Sequence, residues 1–313
     1  MSTITQESPG YVDLQVNGFA GVDFNGDRLS GPDVARACRQ LLNDSVDGIL
    51  ATVITDDIDV MCRRLARIRE VRDQDPVIAD VIWGIHIEGP FLNPQPGFIG
   101  AHPPTAARTA DPALIDRLLD AAGDLVRIVT LAPEMDQSCE VTGRLVRRGI
   151  RVAAGHCDPT VDQLRAAIDA GLSMFTHLGN GCPLQLHRHD NIIQRALSFS
   201  DQLWIGFIAD GVHIPLLALR NYLRLVGVER AFVVSDAIHA AGLGPGIYQF
   251  GGQRVVVDQQ LATWNEERSH LLGSAAPLSI AVENLRQSVG LSASEIIRLT
   301  SANPRQILVE GPA

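Results

Sequence analysis

Lysine is absent from this chain: all 26 basic residues among its 313 are arginine. That excludes Schiff-base chemistry on a lysine amine, and a carbamylated lysine bridging two metal ions. Cysteine is scarce. Cys38, Cys62, Cys139, Cys157 and Cys182 are odd in number and show no metal-finger spacing, so they read as reduced thiols and not as a disulfide framework. No apolar run reaches the roughly 18 residues that would cross a bilayer, so no membrane partner is expected. The N-terminus, MSTITQESPG, lacks a basic-then-apolar signal pattern and reads as a polar tail over residues 1–10 of a cytoplasmic protein. A formal net charge of −10, with no basic blocks interleaved with aromatics, argues against nucleic acid and for a small-molecule partner.

What is present is a rhythm. Apolar, β-branched runs of strand length occur at about 11–18, 48–55, 81–89, 127–134, 151–157, 172–178, 204–210 and 231–238. Helical start signals lie between them, including Ser30 with Pro32, Asp111 with Pro112, and Pro159. Strand and helix alternating in this way, with nearly continuous apolar strands, predict an α/β fold of the (β/α)8 TIM-barrel type. Two segments break the rhythm. Residues 89–110 are rich in Gly and Pro and read as a long loop over the mouth of the barrel, and residues 243–272 read as an inserted β-hairpin. Without a linker or internal repeat, residues 11–313 read as one barrel domain.

Four of the apolar runs end in a residue able to bind a metal or move a proton: Glu88, His156, His177 and Asp236. A (β/α)8 barrel assembles its active site from the carboxyl ends of its strands, so the rhythm predicts that these four meet. A carboxylate and two imidazoles leave one position of a four-coordinate zinc open for water, as in catalytic sites. Asp236 is then the proton carrier. Alternation turns His86 the same way as Glu88, and sends Ile85 and Ile87 outward to the helices; it also points Cys157 opposite to His156, so Cys157 reads as buried and not reactive. Gln15 and Asn17 share a face at strand one, but neutral amides are poor ligands, so a single divalent ion is expected.

In order along the chain, PGYVDLQVNG, GIHIEGPFLNP, GFIGAHPP, AAGHCDPT, FTHLGNG, GFIADGVHIP, VVSDAIHAAG and LLGSAAPLSIAVENL are similar to motifs of the amidohydrolase superfamily, and within it resemble the N-acetylglucosamine-6-phosphate deacetylase family. The resemblance covers nearly the whole chain. It implies metal ligation by Glu88, His156 and His177, acid–base work by Asp236, and substrate contacts from His102, Asn180, Gly181 and His213. Leu278 stands where the family places an apolar contact for the acetyl methyl. It also implies a homodimer. The family's small β-domain, built from segments before PGxxD and at the C-terminus, has no counterpart in this sequence. Where the family has REPG, supplying a phosphate-binding arginine across the dimer, this chain has QLHRHDN with His187, Arg188 and His189. The expected activity is removal of an acetyl group from an N-acetylated amino sugar such as N-acetylglucosamine 6-phosphate. Hydrolysis of another amide or a lactone, or sugar binding without catalysis, are the alternatives.

Overall fold

A computed structural model describes residues 9–250 and 253–310. Most of the expected N-terminal tail, residues 251–252 and residues 311–313 lie outside the described residues. Eight parallel strands follow one another in chain order: β1 Tyr11–Val16, β2 Val46–Ile54, β3 Ile82–Glu88, β4 Val126–Leu131, β5 Arg151–Ala154, β6 Met174–Phe175, β7 Trp204–Ile208 and β8 Ala231–Val234. The ring closes where Val16 pairs with Ala237, just past β8. Asp13 reinforces that seam by accepting the Ser235 amide at 3.2 Å. This is the (β/α)8 barrel anticipated from the alternating pattern.

Several helices begin at residues whose side chains satisfy otherwise unpaired amides. Ser30 accepts from Asp33 N, and Asp111 from Ala113 N and Leu114 N. Thr160 and Gln163 cap each other's backbone reciprocally at the helix Val161–Asp169. The main apolar core lies between strands and helices and includes the outward-turned Ile85, Ile87, Val129 and Val152.

Inside the barrel the side chains are layered. The bottom layer is apolar, with Val12, Leu14, Leu50, Ile128, Met174 and Trp204, and Ile307 of the C-terminal helix Asn303–Glu310 joins it. Above it lies a polar layer: His86 Nε2 contacts Thr130 Oγ1 at 2.8 Å, and Thr130 Oγ1 contacts Thr176 Oγ1 at 2.7 Å. The pairing of β1 with β2 slips between Asp13 and Val16. Across that slip Leu14 faces the inner layer and Val16 the outer core, where strict alternation would put them together. After β8 the chain forms β9 Gly246–Phe250 and β10 Gln253–Val257, an antiparallel pair, with β11 Thr263–Asn265 added alongside β10. Phe250, Val255 and Val257 pack with Ile54, Ile238 and Leu272 at the barrel rim. Among the described residues no helix is long and apolar enough to cross a membrane.

Candidate active site

A cavity of about 810 Å³ opens at the carboxyl ends of the strands. Glu88, His156, His177 and Asp236 all line it. Their presentation is local backbone geometry: His156, His177 and Asp236, each two residues beyond a strand, have φ of 51°, 31° and 52°. Non-glycine residues in the left-handed region cost on the order of 1–3 kcal/mol each and persist where the surroundings impose them. Three such residues around one cavity mark a built site.

The ligand atoms of Glu88, His156 and His177 lie within 4.8 Å of one another. His177 Nε2 is 3.0 Å and His156 Nε2 3.3 Å from Glu88 Oε1. The Nδ1 of His156 lies 2.7 Å from the Phe98 carbonyl, which can only accept, so Nδ1 carries the proton. That contact turns the other ring nitrogen, Nε2, toward the Glu88 carboxylate. Two imidazoles and one carboxylate, buried and converging in this way, suit a divalent metal with an open position. Gly181 adopts φ +61°, and a Cβ there would sit 2.8 Å from His156 Nδ1; glycine lets the loop lie against this ring.

Burial works to raise the pKa of Glu88, but hydrogen bonds from His156 and His177 overcome it and hold the carboxyl well below its ordinary value. Burial, followed by the charge of His156, pushes His102 down to about 3, which makes it a neutral imidazole. Its Nδ1 accepts the Thr55 amide at 3.3 Å, so its proton sits on Nε2, 3.8 Å from Glu88 Oε2. Asp236 is pushed up to about 6, by burial first and the Glu88 charge second. Gln15 Nε2 donates to both Glu88 Oε1 and Asp236 Oδ1 at 3.1 Å, and Asn17 Nδ2 donates to Asp236 Oδ1 at 2.8 Å. The amides of strand one brace the carboxylates.

His102, His213, Asn180 and Gly181 also line the cavity. The other two expected substrate contacts are elsewhere. Leu278 opens the helix Leu278–Asn284 and is buried in the main core, outside the cavity lining. Arg188 is exposed on the loop after β6 and does not line the cavity; among the described residues no arginine does. Cys157 is buried and its thiol is pushed well above its ordinary value by burial, as an inert packing residue. Phe250 and Trp264, from the strands after β8, form part of the wall. Sequence reading took residues 243–272 as an inserted β-hairpin and assigned none of them to the site.

A (β/α)8 barrel with a carboxylate and two histidines converging at the strand ends, beside a braced aspartate, defines a metal-dependent hydrolase of the amidohydrolase class. No protein-family model matches the chain. It is 37% identical over 313 residues to the human N-acetylglucosamine-6-phosphate deacetylase, covering 96% of this chain and 74% of the relative. It is 31% identical over 301 residues to the N-acetylgalactosamine-6-phosphate deacetylase of Escherichia coli O157:H7, covering 96% and 77%. A mutant N-acetyl-D-glucosamine-6-phosphate deacetylase from Mycobacterium smegmatis, solved in complex with N-acetyl-D-glucosamine-6-phosphate, superposes with a TM-score of 0.86 at 31% identity, over 96% of this chain and 77% of that one. The chain belongs to the N-acetylglucosamine-6-phosphate deacetylase family.

Proposed function

We propose that this chain hydrolyses the acetamide of an N-acetylated amino sugar 6-phosphate, with N-acetylglucosamine 6-phosphate as the leading substrate and its galactosamine epimer as the second. The observation that carries this reading is the convergence of Glu88, His156 and His177 beside Asp236 in one cavity, in a member of a deacetylase family. Glu88, His156 and His177 hold one divalent ion in this reading, and zinc suits two imidazoles and a carboxylate. Such an ion polarises the amide carbonyl and lowers the pKa of water toward neutrality.

The chain's own residues do the rest. Asp236 takes the proton of the attacking water and returns it to the departing amine, which leaves poorly unless protonated. Gln15 and Asn17 both donate to its Oδ1, so Oδ2 is the oxygen available to carry that proton. The neutral His102 offers its Nε2 proton toward the substrate, and His213, Asn180 and Gly181 complete the cavity wall. Arg188 serves the phosphate from the partner in a homodimer, and Leu278 supports the acetyl site from the core behind it. The unit that works is the barrel of residues 11–313 with its hairpin, in the cytoplasm, without nucleic acid or membrane. Acetate release from N-acetyl amino sugars with and without a 6-phosphate tests the proposal. Release from none of them, by metal-loaded protein, would overturn it.

A further inference from the structure

We propose that Asp210 is a positioning residue for His213, fixing which ring nitrogen faces the cavity and tying that wall to the segment that carries Asp236. Asp210 follows β7 by two residues, and Gly211 then turns the chain with φ +82°. The turn places His213 three residues on, over the same carboxylate. Asp210 Oδ1 accepts the backbone amides of Val212 and His213, both at 2.9 Å. Its Oδ2 accepts His213 Nδ1 at 2.7 Å and the Ser274 hydroxyl at 3.2 Å. The two side chains are only 5% and 7% exposed.

Asp210 therefore spends its acceptors on the wall and does not line the cavity, whereas His213 does. A carboxylate that accepts from Nδ1 commits that nitrogen's proton, and Nε2 becomes the atom presented to a ligand. The fourth bond couples this imidazole to the proton carrier. Ser274 donates its amide to the Asp236 carbonyl and accepts the Ile238 amide, both at 2.9 Å. One buried carboxylate thus sets both the His213 ring and the strand-like segment that holds Asp236 at its positive φ.

The experiment has two arms. In the first, ring-nitrogen NMR of the wild-type protein, with His213 identified by subtraction of a His213→Ala spectrum, is expected to show a protonated, hydrogen-bonded Nδ1. This arm needs no turnover, so it stands even if the sugar assignment under the proposed function fails; an unprotonated Nδ1 would overturn the inference. In the second, which rests on that assignment, Asp210→Asn sets an amide against Nδ1–H and is expected to lower kcat/KM by about 10–100-fold, the size typical of a partner that orients a working imidazole. Metal content stays as in the wild type. In a His213→Ala background the same substitution is expected to cost less than about twofold, since coupled residues are not additive. An equal loss in both backgrounds, or loss of the metal, would show that Asp210 acts on the fold and not through His213.

Discussion

Asn17 donates its side-chain amide to Asp236 at 2.8 Å. That bond, with the one from Gln15, orients a carboxylate that burial has already pushed up to about 6. A group so held and so tuned can accept a proton and return it near neutral pH. Asp236→Asn keeps the shape and loses the proton site. Activity is expected to fall by roughly 10²–10⁴-fold with the metal retained. Near-wild-type turnover in that variant would remove Asp236 from the chemistry.

The metal assignment is tested without turnover. His156 and His177 supply two of the three ligands, and His156 is oriented by the Phe98 carbonyl. Removing either imidazole leaves too few donors for tight binding. Elemental analysis is expected to find one divalent ion per chain, and an empty site in His156→Ala and in His177→Ala. Two ions per wild-type chain, or full occupancy in both variants, would contradict the assignment.

The barrel and the four central residues were legible because both are periodic signals: eight apolar runs, four of which end in a chemically able side chain. Alternation also sorted His86 and Glu88 from Ile85 and Ile87 correctly. The slip in β1 was not legible, since a bulge is a pairing property that no single strand's pattern records. It is the slip that allows Leu14 to face inward and Val16 outward, on either side of Gln15. Gln15 and Asn17 were read as poor ligands, which overlooked their use as donors to Glu88 and Asp236. Asp210 escaped notice although it stands only three residues before His213, because a bond between two side chains in a turn leaves no periodic mark in the sequence. Leu278 followed motif alignment to a position whose side chain the helix turns into the core.

Asp13 gives a pH signature of stability. Burial pushes its carboxyl up from 3.8 to about 7, against hydrogen bonds from Ser235 and Gln15. The folded state then holds the proton more tightly than the unfolded chain. Its stabilising contribution is complete below about pH 4 and is lost as pH rises through about 7. A shift of that size corresponds to an upper limit on the order of 4 kcal/mol. Asp13→Asn cannot titrate, so its unfolding free energy relative to wild type should increase between pH 5 and pH 8. Denaturant unfolding at the two pH values measures this. A difference between the two proteins that does not change with pH would mean that Asp13 is ionised in the fold.

Arg188 stands exposed on the loop after β6, while the cavity has no arginine on its wall among the described residues. A phosphate dianion is best met by a guanidinium, and without lysine the chain's fixed positive charge is arginine alone. If the phosphate is bound from a second subunit, Arg188 is the loop cation placed to do it. Arg188→Ala is then expected to raise KM for the 6-phosphate sugar by about 10–100-fold, as for loss of a hydrogen bond between charged groups. Activity on the unphosphorylated sugar should hardly change. The cross-subunit geometry has its own signature: mixing Arg188→Ala chains with Asp236→Asn chains should restore tight binding of the phosphorylated sugar at the site that combines an intact Asp236 with a neighbour's intact Arg188. Equal losses on both sugars would make Arg188 structural, and a phosphate effect without restoration on mixing would place it in its own chain's site.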